Sequence, residues 1–337
     1  MRSISIGIVG LPNVGKSTLF KLLTKQDVVI ANYPFATIDP NIGIVPVPDE
    51  RLEKLTKLSR SKKTVPAVVE FYDIAGLVRG ANQGEGLGNQ FLSHIRDVSA
   101  VLQVIRVFNS SEIIHVEGDT DPVRDFEIIK TELCLKDLET VTKRFEKAEA
   151  DARSGKKEFI ETRDVLAQIK LELEKGNFLS ADDSLIRANW RMIRELNLLT
   201  AKPQLFVLNG EEKDVPAELL KKIKELDAGY IAVDLANAEK LDTLIQKAYE
   251  VLNLISFFTT GEDETRGWTI ARGAKAPEAA GVIHTDFEEK FIRAEVVLYQ
   301  KLIEAGGWVE AKQKGWLRVE GKDYVVQDGD VIVVRHG

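Results

Sequence analysis

Residues 10–17 read GLPNVGKS, and this octet constrains the chain more than any other feature. It follows an apolar run, Ile4, Ile6, Ile8 and Val9, and precedes the helix-prone Thr18 to Leu23. A G-x-x-x-x-G-K-S segment between a strand and a helix turns successive backbone N–H groups around an anion. The helix start adds its orphan amides and the positive end of its dipole. Asn13, Val14, Gly15, Lys16, Ser17 and Thr18 are therefore the expected phosphate contacts, with Lys16 reaching the β and γ phosphates. Ser17 offers a hydroxyl to Mg²⁺, a cation that keeps most of its waters. A strand, loop and helix in this order predict an α/β fold that binds a nucleotide.

Bulk properties narrow the setting. At ~150 residues per domain, 337 residues predict two or three domains. No apolar run approaches membrane-spanning length, so no membrane partner is expected. The lone Cys134 permits no internal disulfide and suits a reducing compartment. The start MRSISIGIVG reads as a first strand rather than a leader, which predicts a cytoplasmic protein. A net charge of −7 argues against general coating of nucleic acid, though not against a local basic patch on RNA.

Further motifs follow the loop. The strand Val68 to Tyr72 runs into Asp73, Ile74, Ala75 and Gly76, a D-x-x-G sequence in which the Asp holds Mg²⁺ and the Gly amide meets the γ-phosphate. Gly80, Gly84, Gly86 and Gly88 come next, a density that suits a segment ordered by a γ-phosphate. Thr37, in the turn-rich stretch 32–41, could add a second hydroxyl to Mg²⁺. The strand Gln204 to Leu208 ends in Asn209, Gly210, Glu211 and Glu212, where a GTPase carries N-K-x-D. The longer Glu212 side chain and the missing Lys stem at Gly210 predict weakened guanine selectivity, with adenine competing. After the strand Tyr230 to Val233, Asp234, Leu235, Ala236 and Asn237 match the Ser-Ala-Lys-like base loop of such enzymes poorly.

Together these motifs resemble the YchF or Obg-like ATPase family. GLPNVGKST, NYPFATIDPN, DIAGLVRGANQGEGLGNQFL, EIIHVEG, the run Asn209 to Asp214 and RGWTIARGAKAPEAAGVIHTDFEEKFIRAEV carry the likeness over essentially the whole chain. The resemblance implies a Ras-like P-loop NTPase domain over 1–125 and 201–254, an inserted helical coiled-coil arm over 126–200 and a β-grasp TGS domain over 255–337. It implies hydrolysis of ATP in preference to GTP, with Mg²⁺ and K⁺, and a monomer that binds the ribosome, rRNA or translation factors. Asn13 is its K⁺ ligand candidate. Leu77 stands where Ras-like enzymes place a water-orienting glutamine, so Gly76, Leu77, Lys16 and His115 become the expected catalytic set. His115 is the family's alternative for positioning water, and slow turnover is expected. A GTP-preferring enzyme and a binding adaptor with incidental hydrolysis are the competing readings, and a metabolic kinase lacks an acceptor site.

Helical spacing supports the arm. Cys134, Leu138, Val141, Phe145 and Ala148 form one seam, and Phe159, Thr162, Leu166, Ile169 and Leu173 another, with 153–157 as the hairpin tip. A third seam, Leu185, Asn189, Met192, Leu196 and Leu199, leads back to the sheet. In the tail, 259–267 reads as a polar entry linker. Strands are expected at 268–271, 294–298, 324–326 and 331–334, with a helix over 303–314 and turns at Gly321 and at 328–330. His284 has no second ligand nearby and reads as a fold residue.

Overall fold

The computed structural model describes residues 4–24, 41–73, 98–108, 119–179 and 183–337. Thr37, Gly76, Leu77 and His115 lie outside them.

The strands β1 (Ser5–Val9), β2 (Ile42–Pro46), β4 (Val68–Asp73), β5 (Ala100–Arg106), β6 (Gln204–Asn209) and β7 (Gly229–Val233) form one sheet in the order β2-β4-β1-β5-β6-β7. Only the β2–β4 pair is antiparallel. Every residue of β1, β5 and β6 is buried, as parallel strands covered on both faces must be. Ligands of such sheets sit outside the carboxyl ends of the strands. The loop after β1 leads there into helix α1 (Lys16–Thr24).

The arm consists of α3 (Pro122–Ala152) and α4 (Lys157–Glu174), joined at Arg153–Lys156. The helix α2 (Glu50–Ser59) packs with the second sheet rather than the first. Asp121 caps α3 by accepting from the amides of Val123 and Arg124, with Pro122 in the first turn. Cys134, Val141 and Ala148 are buried against Leu166, Ile169 and Leu173 as α4 doubles back. Burial pushes the Cys134 thiol up to about 12, which suits a core residue. Asp137, on α3, accepts from the Leu199 and Thr200 amides and from the Thr200 hydroxyl at 2.7–2.9 Å. That buried carboxylate ties the base of the arm to the chain entering β6.

The third seam is corrected. Helix α5 (Asp183–Leu196) is broken at Asn189, whose φ of −125° is non-helical, and Leu199 lies in a separate short 3₁₀ turn. Asn readily leaves helical geometry because its side chain competes for backbone partners.

After α6 (Ala217–Glu225) and α7 (Asp242–Val251) the chain enters a second sheet. Its strands are β3 (Lys63–Val65), β8 (Leu254–Thr260), β9 (Glu264–Ala271), β10 (Phe291–Leu298), β11 (Arg318–Glu320) and β12 (Asp330–His336), in the order β11-β10-β12-β8-β9-β3. Three expectations change here. The stretch 259–267 is no linker: β8 and β9 pair antiparallel from Leu254–Ala271 to Thr260–Thr265 and turn at 261–263. The helix over 303–314 is two, Tyr299–Ala305 and Trp308–Gln313, because Gly306 (φ 89°) and Gly307 (φ 155°) leave helical space. Residues 324–326 contribute one bridge, Val325 to Lys275, rather than a strand. His284 is a helix cap, its Nδ1 accepting from the Asp286 amide at 3.2 Å.

The second sheet draws in a segment from the first half of the chain. Leu52 and Leu55 of α2 are buried with Phe258, Val297, Leu302 and Val331, and β3 pairs parallel with β9. Arg51 stands over the Phe258 ring, pairs with Asp49 and reaches Asp328 at 2.7 Å. Among the described residues no helix is long and apolar enough to cross a membrane.

Leu55→Ala should therefore destabilise the tail unit by roughly 2–5 kcal/mol although residue 55 lies some 200 positions upstream of it. Urea unfolding followed by fluorescence of Trp268, Trp308 and Trp316 reads this. An unchanged midpoint would contradict the shared core.

Candidate nucleotide site

The loop Gly10–Ser17 is shaped by two unusual backbone positions. Asn13 adopts φ 62° and Gly15 φ 108°, the latter a conformation in which a side chain is strained. A Cβ on Gly15 would also lie 2.5 Å from Nδ2 of Asn209. That closeness has a purpose. Asn209 Nδ2 donates to the Val14 carbonyl at 2.9 Å, and Asn209 Oδ1 accepts from the Leu235 amide at 3.1 Å. One buried side chain thus braces the loop after β1 against the loop after β7.

Lys16 is buried, with its ammonium donating to the carbonyls of Gly10 (3.0 Å) and Leu11 (2.7 Å). An ammonium has three donors, so one remains for a phosphate oxygen. Burial pushes Lys16 down to about 8, while the charge of Asp73 opposes the shift. Asp73, at the carboxyl end of β4, is pushed above the ordinary carboxylate range by burial, with Lys16 acting the other way. Ser17 is exposed one residue further along α1.

Lys16 and Ser17 help to line a cavity of about 310 Å³. The loop contributes Asn13, Gly15, Lys16, Ser17 and Thr18, and the strand ends and the segment after β7 contribute Phe108, Asn209, Asp234, Leu235 and Ala236. The structure therefore brings the expected loop residues and Asn209 together. Val14 serves through its carbonyl, and Gly210 stands just behind the wall. Glu212 does not line the cavity: its exposed carboxylate accepts from the Tyr230 hydroxyl at 3.1 Å. The poorly matching segment 234–236 does line it, held by Asp234, whose carboxylate accepts from the Ala236 amide and the Asn237 side chain. Phe108 escaped sequence reasoning. Its signal was its place just past the end of the apolar run Ala100–Arg106, at a strand's carboxyl end.

The donor set suits a hard cation. Among the described residues no cluster of three or more His, Cys, Asp or Glu could hold a metal. A Ser17 hydroxyl and an Asp73 carboxylate beside a phosphate loop instead fit Mg²⁺, which takes few protein oxygens.

Known proteins match this arrangement closely. A family model described as a 50S ribosome-binding GTPase covers residues 5–147, and the C-terminal model named for the YchF GTPase, described as a protein of unknown function, covers 254–337. The chain is 46% identical to the ribosome-binding ATPase YchF of Bacillus subtilis, over 99% of both proteins. The chain belongs to the YchF family. It is also 42% identical to Obg-like ATPase 1 of Gallus gallus, over 98% of this chain and 91% of that protein. The solved Schizosaccharomyces pombe YchF GTPase superposes with a TM-score of 0.85 at 39% identity, over 99% and 98% of the two chains. This YchF-family chain is a nucleoside-triphosphate-binding P-loop protein with the GTPase-type sheet.

Two outcomes test the geometry. Gly210 has φ 148°, and a Cβ there would lie 2.6 Å from Val107 Cγ2. Gly210→Lys, which restores the G-protein lysine, should thus cost roughly 1–3 kcal/mol of strain and weaken nucleotide binding rather than favour guanine. A melting curve and a GTP titration decide it; a GTP-tight, fully stable variant would refute the packing argument. The second concerns protons. A bound triphosphate favours charged Lys16 and raises its pKa, so binding at about pH 9 should take up a proton and binding at about pH 6 should not. Calorimetry in buffers of different ionisation heat counts that proton, and Lys16→Met should abolish the uptake.

Proposed function

We propose that this chain is a slow ATPase that uses Mg²⁺, prefers ATP to GTP and acts on the ribosome. The observation that carries the base preference is the position of Glu212. Guanine recognition needs a carboxylate fixed beside the base, paired with its ring N–H and amino group. Here the only carboxylate of the N-x-x-E run at that spacing is turned to Tyr230 instead. An adenine makes no such demand. It lies between the apolar walls of Phe108 and Leu235, with Asn209 holding the loop beneath.

The phosphates lie against the amides of Asn13 to Thr18, with the Lys16 ammonium on their outer oxygens. Ser17 and Asp73, together with Thr37, would hold Mg²⁺, which when bound would supply positive charge against the charge that builds up on the phosphates. Asn13 is the candidate for a K⁺ ligand. The Leu77 side chain, following Gly76, has no polar atom with which to orient water, so turnover is slow and falls to another group, for which His115 is the candidate. The ribosome enters from the relatives, whose names in Bacillus subtilis and in Escherichia coli O157:H7 (42% identical over 97% of each protein) are ribosome-binding ATPase YchF.

Parallel titration with ATP and GTP in Mg²⁺, followed by hydrolysis with and without K⁺ and ribosomes, tests the whole reading. ATP should bind more tightly, Lys16→Ala should abolish turnover and Leu77→Gln should not speed it. Tighter GTP binding would reverse the base preference. ATP binding without hydrolysis under every condition would leave an adaptor.

A further inference from the structure

Arg106 is the last residue of β5, and only 1% of it is exposed. Removing a guanidinium from water costs several kcal/mol unless partners compensate, and Arg does not escape by losing its proton. Two of its contacts fall on one residue. Arg106 Nε donates to the Phe108 carbonyl at 3.0 Å, and its Cζ stands over the Phe108 ring, 4.4 Å from the centroid. Asp125, equally buried in the first turn of α3, supplies opposite charge that favours the ionised guanidinium against its burial. Phe108 is hemmed in on a further side as well. The Val107 amide donates to the Asn209 carbonyl at 3.0 Å, and a Cβ on Gly210 would come within 3.5 Å of the Phe108 Cβ. Phe108 nevertheless lines the cavity, while Arg106 does not.

We infer that Arg106 is a positioning residue for the nucleotide base, holding the Phe108 ring and carbonyl where the ring meets the purine. The inference rests on the reading of this cavity as a nucleotide site. A lysine cannot replace Arg106: it keeps the charge but lacks both the flat cation and the Nε donor. The contact it governs is ring on base, so the effect belongs to the nucleoside and not to the phosphates. Stacking on an aromatic ring is worth about 1–3 kcal/mol per base, roughly five- to 150-fold in affinity.

The test compares ATP, GTP and inorganic tripolyphosphate, each with Mg²⁺, by calorimetry on the full chain. Arg106→Lys should weaken ATP and GTP roughly tenfold and leave tripolyphosphate within about twofold. Phe108→Leu should do the same, and the double variant should lose no more than Phe108→Leu alone, since both act through one ring. The paired change Arg106→Met with Asp125→Asn removes both buried charges together, and it gives the same reading should Arg106→Lys fold poorly. Equal losses for tripolyphosphate and nucleotides, or additive losses in the double variant, would overturn the inference. So would an undiminished preference of Arg106→Lys for ATP over tripolyphosphate. If the unaltered protein holds tripolyphosphate as tightly as ATP, the base-site reading itself falls, and the inference with it.

Discussion

The carboxamide of Asn209 is the contact on which the site depends. It spans from the Val14 carbonyl to the Leu235 amide, and so joins the loop that follows β1 to the loop that follows β7. Neither hydrogen bond would form without Gly15, because a Cβ there would occupy the space of the Asn209 amide. Nor would β6 close on the neighbouring 107–108 segment without Gly210. Each buried polar atom of the brace is satisfied, so the low dielectric strengthens it. The loop after β1 and the loop after β7 are thereby held in a fixed relation across the sheet.

Around this brace the structure manages charge by burial. Lys16 is held at a lowered pKa beside Asp73, whose own pKa is raised, so two groups that would be indifferent in water are each poised to respond to a bound anion or cation. Arg106 and Asp125 form a second buried couple of opposite charge, and the guanidinium supports Phe108. Asp137 does the same work without a cation, gathering three donors at the root of the arm. Asp125 and Asp137 both lie on α3, within about four turns of each other along one helix.

The phosphate loop, the strands at 68–72 and 204–208 and the two arm seams were legible because each rests on local periodicity or on a motif with a backbone requirement. The loop residues that line the cavity could be read for the same reason. Other elements misled for identifiable causes. Residues 259–267 look polar and glycine-bearing, yet they form a hairpin, because Thr260 and Thr265 pair across it and Ser61 bonds to its turn. The expected helix over 303–314 has the right periodicity, but two glycines at positive φ divide it. Phe108 carries no motif at all. Its role comes from standing at the carboxyl end of a buried parallel strand, which is a fact about the sheet.

What the sequence by itself determined is the set of local commitments: an anion-binding turn between strand and helix, the absence of the guanine-reading Lys and Asp, and a helical insertion followed by a β-rich tail. These follow from short-range sterics and hydrogen bonding, which a few adjacent residues decide. Tertiary structure alone decided which distant groups meet. It turned Glu212 toward Tyr230, set Arg106 behind Phe108 and placed α2 and β3 in the core of the C-terminal sheet. Such pairings depend on the register of whole strands and on the burial of apolar surface that only the assembled sheets provide.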